Sequence, residues 1–309
     1  VKELVVISGK GGTGKTSMVA SFAALAGGAV LADCDVDAAD LHLLLEPTVL
    51  KTEPFMGGRV AKIRPDACTG CGACEEHCRF GAILPSESTS GVSYAVDPIA
   101  CEGCGVCVWI CPEKAIEFPE RQSGEWFVST TRHGPMVHAR LGVAESNSGK
   151  LVTQVRTKAR DVAEAEGLEL VIVDGPPGIG CPVIASVAGA SLILVVTEPT
   201  LSGVHDLKRV VNLANHFQIP AAVCVNKHDI NPEIAASIEE FCREEDVWLA
   251  GRVPYDPRVT KAQIEGLSMV ETQDGPTSEG IRQCWSHIVK RLDLGSSRVR
   301  VSGGKGKHE

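Results

Sequence analysis

The sequence predicts an α/β fold: a mostly parallel sheet with helices on both faces, interrupted by a small inserted α+β module. Three observations predict it. Short apolar runs alternate with helix-period stretches at both ends of the chain, the pattern of strand-helix-strand units whose strands are buried on both faces. Between residues 52 and 125 the alternation stops, and Cys, Gly, Pro and polar residues take over. The first apolar run ends in a glycine-rich turn, GKGGTGKTS, that enters an Ala-rich stretch directly.

Taken in order, residues 3–8 predict a buried strand, 15–26 a helix, AVLAD at 29–33 a second strand, and 38–45 a short helix. After the insert, strands are expected near 168–173, 191–197, 221–225 and 247–250, with helices near 149–166, 201–216, 232–245 and 277–292. One domain therefore comprises 1–51 and 126–294, and the insert 52–125 is a second. The last stretch, 295–309, lacks an apolar stripe and reads as a flexible tail.

Two phosphate-binding patterns overlap in the first turn. Gly9, Gly11 and Gly14 fit the G-x-G-x-x-G of a dinucleotide site, while Gly9 to Thr16 fit the G-x-x-x-x-G-K-[ST] of a P-loop. The residues after the last glycine decide. A P-loop needs a lysine to reach the β/γ-phosphates and a hydroxyl for Mg2+, and Lys15 and Thr16 stand there. Gly9, Lys10, Gly11, Gly12, Thr13, Gly14, Lys15, Thr16 and Ser17 are thus the candidate nucleotide-binding residues, with ATP and Mg2+ as the expected cofactors.

The insert contains a repeat. CTGCGACEEHCRFGAI from Cys68 and CEGCGVCVWICPEKAI from Cys101 align without a gap, and each reads C-x2-C-x2-C-x3-C. That is the spacing of bacterial two-cluster ferredoxins, in which the fourth cysteine of each run ligates the other cluster. Cys68, Cys71, Cys74 and Cys111 are therefore expected to hold one 4Fe-4S cluster, and Cys101, Cys104, Cys107 and Cys78 a second. Zinc competes for C-x2-C pairs, but its sites favour two separated pairs over an unbroken triplet plus one. Pro112 follows Cys111 as in ferredoxins, whereas Arg79 follows Cys78. Trp109 is expected to pack against the module's core.

Composition narrows the setting. A net charge of −9 argues against nucleic acid or an anionic membrane as the main partner. No apolar run reaches the length of a membrane span and no secretion signal opens the chain, so a cytoplasmic location is expected. Thirteen cysteines in such a chain suit metal ligation in a reducing compartment.

GKGGTGKTS resembles the deviant Walker A motif of the MinD/Mrp/ParA and nitrogenase iron protein group of P-loop ATPases. In that group an extra lysine, here Lys10, reaches the partner subunit's nucleotide across a dimer interface. The resemblance implies that Asp174, which ends the apolar strand in LVIVDGPPG, holds Mg2+ through water before a mobile switch at Gly175 and Gly178. It further implies that Asp35 in LADCDVDAAD orients water, with Asp37 read as a helix cap, and that Asn226 in VCVNK reads adenine. Pro254 and Asp256 in RVPYDP would close over base and ribose. The narrower resemblance is to MinD-superfamily ATPases carrying an inserted ferredoxin domain, and it extends to GPMVHARLGVAESNSGKLVTQVR, a segment to which no chemical role attaches. His133 and His138 lie in or beside it and read as structural or exposed.

Cys181 follows Asp174 at the offset where nitrogenase iron protein places a ligand of its subunit-bridging cluster. Such a cluster needs two ligands per subunit and no second one is evident, so Cys181 reads first as a buried structural cysteine. The function expected is nucleotide-gated electron transfer by a homodimer, or a heterodimer with a related ATPase, to a metalloprotein or a small metal-cluster-binding acceptor. The alternatives are a cluster assembly or delivery ATPase similar to Mrp, and a MinD/ParA-like positioning ATPase with clusters as redox sensors.

Overall fold

The structure, a computed structural model, describes residues 1–88, 91–142, 148–272 and 274–294. The expected tail at 295–309 and part of the segment after the insert, 143–147, lie outside these residues. The chain forms two compact units. One comprises residues 1–53, 126–140 and those from 148 onward, and the other comprises 54–125 with 141–147.

The first unit opens with β1 (Lys2–Ser8), α1 (Lys15–Ala26), β2 (Val30–Asp33) and α2 (Leu41–Leu45), and β3 (Thr48–Arg59) leads out of it. The second holds β4 (Lys62–Ile63), α3 (Ala73–Glu76), β5 (Ile83–Ser88), β6 (Gly91–Val96), α4 (Val106–Ile110) and β7 (Ile116–Glu117). The chain returns through β8 (Glu120–Thr131) to β9 (Gly134–Leu141), α5 (Ser148–Ala165), β10 (Leu170–Pro177), α6 (Cys181–Val187) and β11 (Leu192–Thr197). Then follow α7 (Leu201–His216), β12 (Ala221–Asn226), α8 (Pro232–Glu244), β13 (Trp248–Val253), α9 (Arg258–Ile264), α10 (Met269–Thr272) and α11 (Pro276–Arg291).

The main sheet runs β13-β12-β11-β1-β10-β2-β9-β8-β3, and its members from β13 to β9 pair in parallel. Its central strands are apolar throughout, as strands covered on both faces must be: Leu4 to Ile7 and Leu170 to Val173 have no exposed surface. On one face α1 and α11 meet through Phe22 and Trp285, whose ring centroids lie 5.1 Å apart. Alternate residues such as Val5 and Val173 point to the opposite face. There, buried Glu3 accepts from Arg156 and Arg160, each at 2.6 Å. Arg156 also donates to the carbonyls of Ala185 and Ala188, anchoring the last turn of α6.

This topology fixes where a ligand can bind. β1 sits between β10 and β11, so successive connections leave the sheet in opposite directions at its carboxyl end and open a crevice there. Register then aligns the acids: Val6 of β1 lies opposite Asp174 of β10, and Asp174 lies opposite Asp33 of β2.

The second unit is built twice from one local plan. Gly70 and Gly103 have φ of 69° and 64°, and Gly72 and Gly105 have φ of 77° and 75°, left-handed turns that glycine adopts without strain. The second glycine of each pair caps α3 or α4. Antiparallel pairs β4-β7 and β5-β6 flank a small core of Ala61, Ile63, Cys74, Ile83 and Ile116.

Several expectations need correction. Trp109 does not pack on that core; it is 87% exposed. Cys107 and Cys111 border the core, and Trp109, two residues from each, falls on the opposite side of the turn. β8 and β9 were not expected as sheet members, because ERQSGEWFVSTT is too polar for a central strand. Asp40, not Asp37, occupies the cap position of α2.

Candidate functional site

The glycine-rich turn joins the buried end of β1 to α1 and needs glycine at two places. Gly12 and Gly14 have φ of 79° and 91°, where a side chain would be strained. Support comes from the end of β12. The Asn226 amide donates to the Thr13 carbonyl at 2.8 Å, and Lys227 Nζ donates to the Gly12 carbonyl at 3.1 Å. Asn226, expected as an adenine reader, thus first serves to hold the loop.

Behind the loop lies a concentration of buried charge. Lys15 Nζ stands 3.2 Å from both Asp35 Oδ2 and Asp174 Oδ1. Burial works to strip Lys15 of its proton, but the two carboxylates outweigh it and hold the lysine above its usual value. Asp174 is 1% exposed and is raised by burial, against the pull of Lys15 and a hydrogen bond from Thr16. Burial likewise raises Asp35, against Lys15.

Asp33 completes the group. Its Oδ1 accepts from the Asp35 N-H at 3.2 Å, and its buried Oδ2 has no partner. Burial first, then the facing Asp174, pushes Asp33 well above the usual carboxylate range. Two carboxylates therefore share one ammonium, with a third buried beside them. The Thr16 hydroxyl, hydrogen-bonded to Asp174, and the unpartnered Asp33 Oδ2 are hard oxygen donors of the kind a divalent cation such as Mg2+ takes.

Lys10 lies apart from this group. Its Nζ pairs with Glu198 Oε1 at 2.6 Å and donates to Thr200 and Ser202 at 3.3 and 3.2 Å. Glu198 also pairs with Lys227 at 3.2 Å. Although burial works against its charge, the two ammonium groups hold Glu198 below the usual carboxylate value.

The loop borders a cavity of about 660 Å3, within the range of small-molecule sites. Gly11, Gly12, Thr13, Gly14, Lys15, Thr16, Ser17, Asp35, Asn226, Pro254 and Asp256 line it, so most of the sequence-predicted residues converge there. Leu43, Leu44, Val259, Met269 and Ile281 add apolar surface to its lining. The Asp256 carboxylate is taken up by Arg258, Nη2 to Oδ2 at 2.6 Å, and by the Thr277 hydroxyl at 3.3 Å. It therefore shapes the wall. Glu198, Lys227 and Gln263, which donates to Ser17 at 2.8 Å, were missed; of these only Lys227, adjacent to Asn226, carried a sequence signal.

The eight repeat cysteines sort into two sets. Cys68, Cys71, Cys74 and Cys111 line one small cavity, and Cys78, Cys101, Cys104 and Cys107 line another. Each set takes three thiols from one half of the repeat and one from the other. Among the described residues no three His, Cys, Asp or Glu side chains converge closely enough to share a single metal ion; each quartet surrounds a space instead. The Ala115 N-H points at Cys111 Sγ at 3.3 Å.

Cys181 corrects another expectation. It is exposed at the start of α6, directly after the Gly178 to Gly180 turn. His133 pairs with Glu271 at 2.9 Å and His138 with Ser129 at 2.8 Å, both structural contacts.

Comparisons with known proteins agree with this geometry. Residues 4–269 match the family described as CobQ/CobB/MinD/ParA nucleotide binding domain. An uncharacterized protein of Methanocaldococcus jannaschii is 36% identical over 237 residues, 75% of this chain and 80% of its own length. A Pyrococcus horikoshii protein named iron-sulfur cluster carrier protein is 25% identical over 171 residues, 51% of this chain and 56% of its own. Among solved structures, the septum site-determining protein MinD of Pyrococcus horikoshii, complexed with Mg-ADP, superposes with a TM-score of 0.57 at 15% identity, covering 97% of this chain and 99% of that one. That likeness is one of fold.

The buried acids make a prediction about stability. Folded Asp33 takes up its proton at higher pH than the unfolded residue, so between the two values stability falls as pH rises. Asp33→Asn keeps the Oδ1 acceptor and removes the titration. By calorimetry, the nucleotide-free variant should unfold at a higher temperature than the wild type at pH 7. The gap should narrow as the pH falls toward about 4, the range of a free aspartate. An unchanged or lower midpoint at pH 7 contradicts this.

Proposed function

The chain belongs to the CobQ/CobB/MinD/ParA nucleotide-binding family and is a P-loop ATPase, and from that premise we propose that it couples its nucleotide state to electron transfer through two 4Fe-4S clusters. One observation carries the reading: each small cavity of the second unit is lined by three cysteines of one half of the repeat and the fourth of the other. A cubane cluster binds its four thiolates on four separate irons, which suits thiols arranged around a space. Loaded, the two sites supply one-electron chemistry. The set of Cys68, Cys71, Cys74 and Cys111 and the set of Cys101, Cys104, Cys107 and Cys78 would hold the clusters.

The ATPase residues then take defined roles. Lys15 leaves the acids to meet the β/γ-phosphates, while the glycine-rich loop offers its N-H groups. Thr16 would hold Mg2+ directly and Asp174 through water. Asp35, freed of Lys15, orients the attacking water. Lys10 must leave Glu198 to reach a nucleotide in a second subunit, either a copy of this chain or a related ATPase. The apolar lining of the cavity, with Pro254 and the wall shaped by Asp256, receives the base.

The relative named iron-sulfur cluster carrier protein and the exposed Cys181 beside the switch favour a second reading, in which a cluster is handed to a client protein. The acceptor in either case is a metalloprotein or a small cluster-binding protein. No helix among the described residues is long and apolar enough to cross a membrane, and the acidic charge disfavours nucleic acid.

Protein isolated anaerobically should hold about eight irons per chain, with the visible absorption of thiolate-bound clusters. Stoichiometric zinc in a colourless protein would sink the cluster assignment. For the ATPase, Lys10→Ala should retain nucleotide binding while ATP-dependent association is lost and hydrolysis falls by about 100-fold or more, as for loss of one charge-stabilising donor. Lys15→Ala should weaken binding itself, by roughly 10- to 100-fold for a charged hydrogen bond. Normal hydrolysis by Lys10→Ala in a binding and turnover assay rules out a shared two-subunit site.

A further inference from the structure

The two cysteine cavities are related by the repeat, yet their surroundings differ, and one difference is a buried hydroxyl. A Cβ placed on Gly70 would strike the Val92 carbonyl, and one on Gly103 would strike the Arg59 carbonyl. The equivalence extends along both strands: the Asp97 N-H donates to the Ala82 carbonyl at 2.7 Å, and the Arg64 N-H donates to the Ala115 carbonyl at 2.8 Å. Val92 therefore corresponds to Arg59 and Asp97 to Arg64, with the same register in between. Ser93, next after Val92, corresponds to Val60.

Ser93 is 1% exposed, and its Oγ is buried without a hydrogen-bond partner of good geometry. Leaving a hydroxyl so placed forfeits its hydration without return, so a buried orphan calls for an explanation. Its neighbours place it at the Cys68 loop: the Val92 carbonyl abuts Gly70, and Tyr94 lies against Gly72 and lines the cavity with Cys68. The polar atom it approaches is the Cys68 sulfur, which the N-H groups of Gly70 and Tyr94 also address. Val60 offers the other cavity no hydroxyl; beyond their cysteines both cavities are walled mainly by apolar residues, with His77 and Glu102 at the second and Thr69, Tyr94 and Glu113 at the first.

We propose that Ser93 donates a hydrogen bond to the sulfur of cluster-bound Cys68 and thereby makes the Cys68, Cys71, Cys74 and Cys111 site the more easily reduced of the two. Rested on the two-cluster reading, this assigns the clusters an order. Hydrogen bonds to the sulfurs are among the determinants of cluster potential, and a donor lowers the cost of the extra negative charge that reduction adds. A single electron given to the module resides on the Ser93 site. Ser93 is a positioning residue for charge: it ligates no iron, and its loss should leave iron content intact.

The test is an anaerobic redox titration of the whole chain with dithionite, followed by electron paramagnetic resonance, after iron has been counted. Wild type should show two midpoints. In Ser93→Ala the higher one should fall by the equivalent of about tenfold in the one-electron equilibrium, about 59 mV, while the lower one stays. Ser93→Thr, which keeps the hydroxyl, should restore it. The reciprocal Val60→Ser should raise the lower midpoint, and it carries the test if Ser93→Ala fails to hold both clusters. About eight irons with an unmoved higher midpoint in Ser93→Ala, or an unmoved lower midpoint in Val60→Ser, overturns the role of the hydroxyl and leaves the two-cluster reading standing. Wild type without iron overturns that reading and this inference together.

Discussion

Two carboxylates, Asp35 and Asp174, hold one buried ammonium while a third, Asp33, is buried beside them, and the rest of the first unit is arranged around that imbalance. Asp33 ends β2 in register with Asp174 of the neighbouring parallel β10, and Asp35 follows two residues after Asp33. Burying like charges together raises the cost of keeping each ionised, and Lys15 answers only part of it. The site is therefore built for cations that the polypeptide does not itself provide in full. The crevice at the carboxyl end of the sheet, the glycine-rich loop and the clamp from Asn226 and Lys227 all serve to present it to a polyphosphate and its metal.

What was legible in the sequence was local. The phosphate loop could be read because its chemistry requires glycine, lysine and a hydroxyl at fixed steps along one turn, and the cysteine quartets because a tight loop brings three nearby thiols together. The parallel strands were legible from apolar runs too short for helices. What failed depended on partners distant in sequence. β8 and β9 are half-exposed, so no simple period marks them, and Glu198 gains its meaning only from Lys10 and Lys227 across the fold. Trp109 and Cys181 were misjudged because residue type is a weak guide to burial where short helices and glycine turns decide which side faces out.

Arg132, directly after the returning strand β8, donates to the Leu44 and Gly266 carbonyls at 2.9 and 2.7 Å and pairs with Glu271 at 2.8 Å. Leu44 lines the nucleotide cavity, and the outgoing strand β3 begins at Thr48. One guanidinium thus ties the cavity wall at Leu44 to the segment that follows β8. Glu271 is held far below the usual carboxylate range, despite burial, by His133, Arg132 and Ser268, so this joint keeps its charges at neutral pH.

In the proposed function, nucleotide state governs cluster chemistry. That dependence is read by reducing the iron-loaded protein with dithionite, removing excess reductant, and timing electron loss to an oxidised viologen with Mg-ATP, with Mg-ADP and without nucleotide. The rate should change with nucleotide while iron content stays constant. Identical rates in all three states, with iron retained in each, would rule the coupling out.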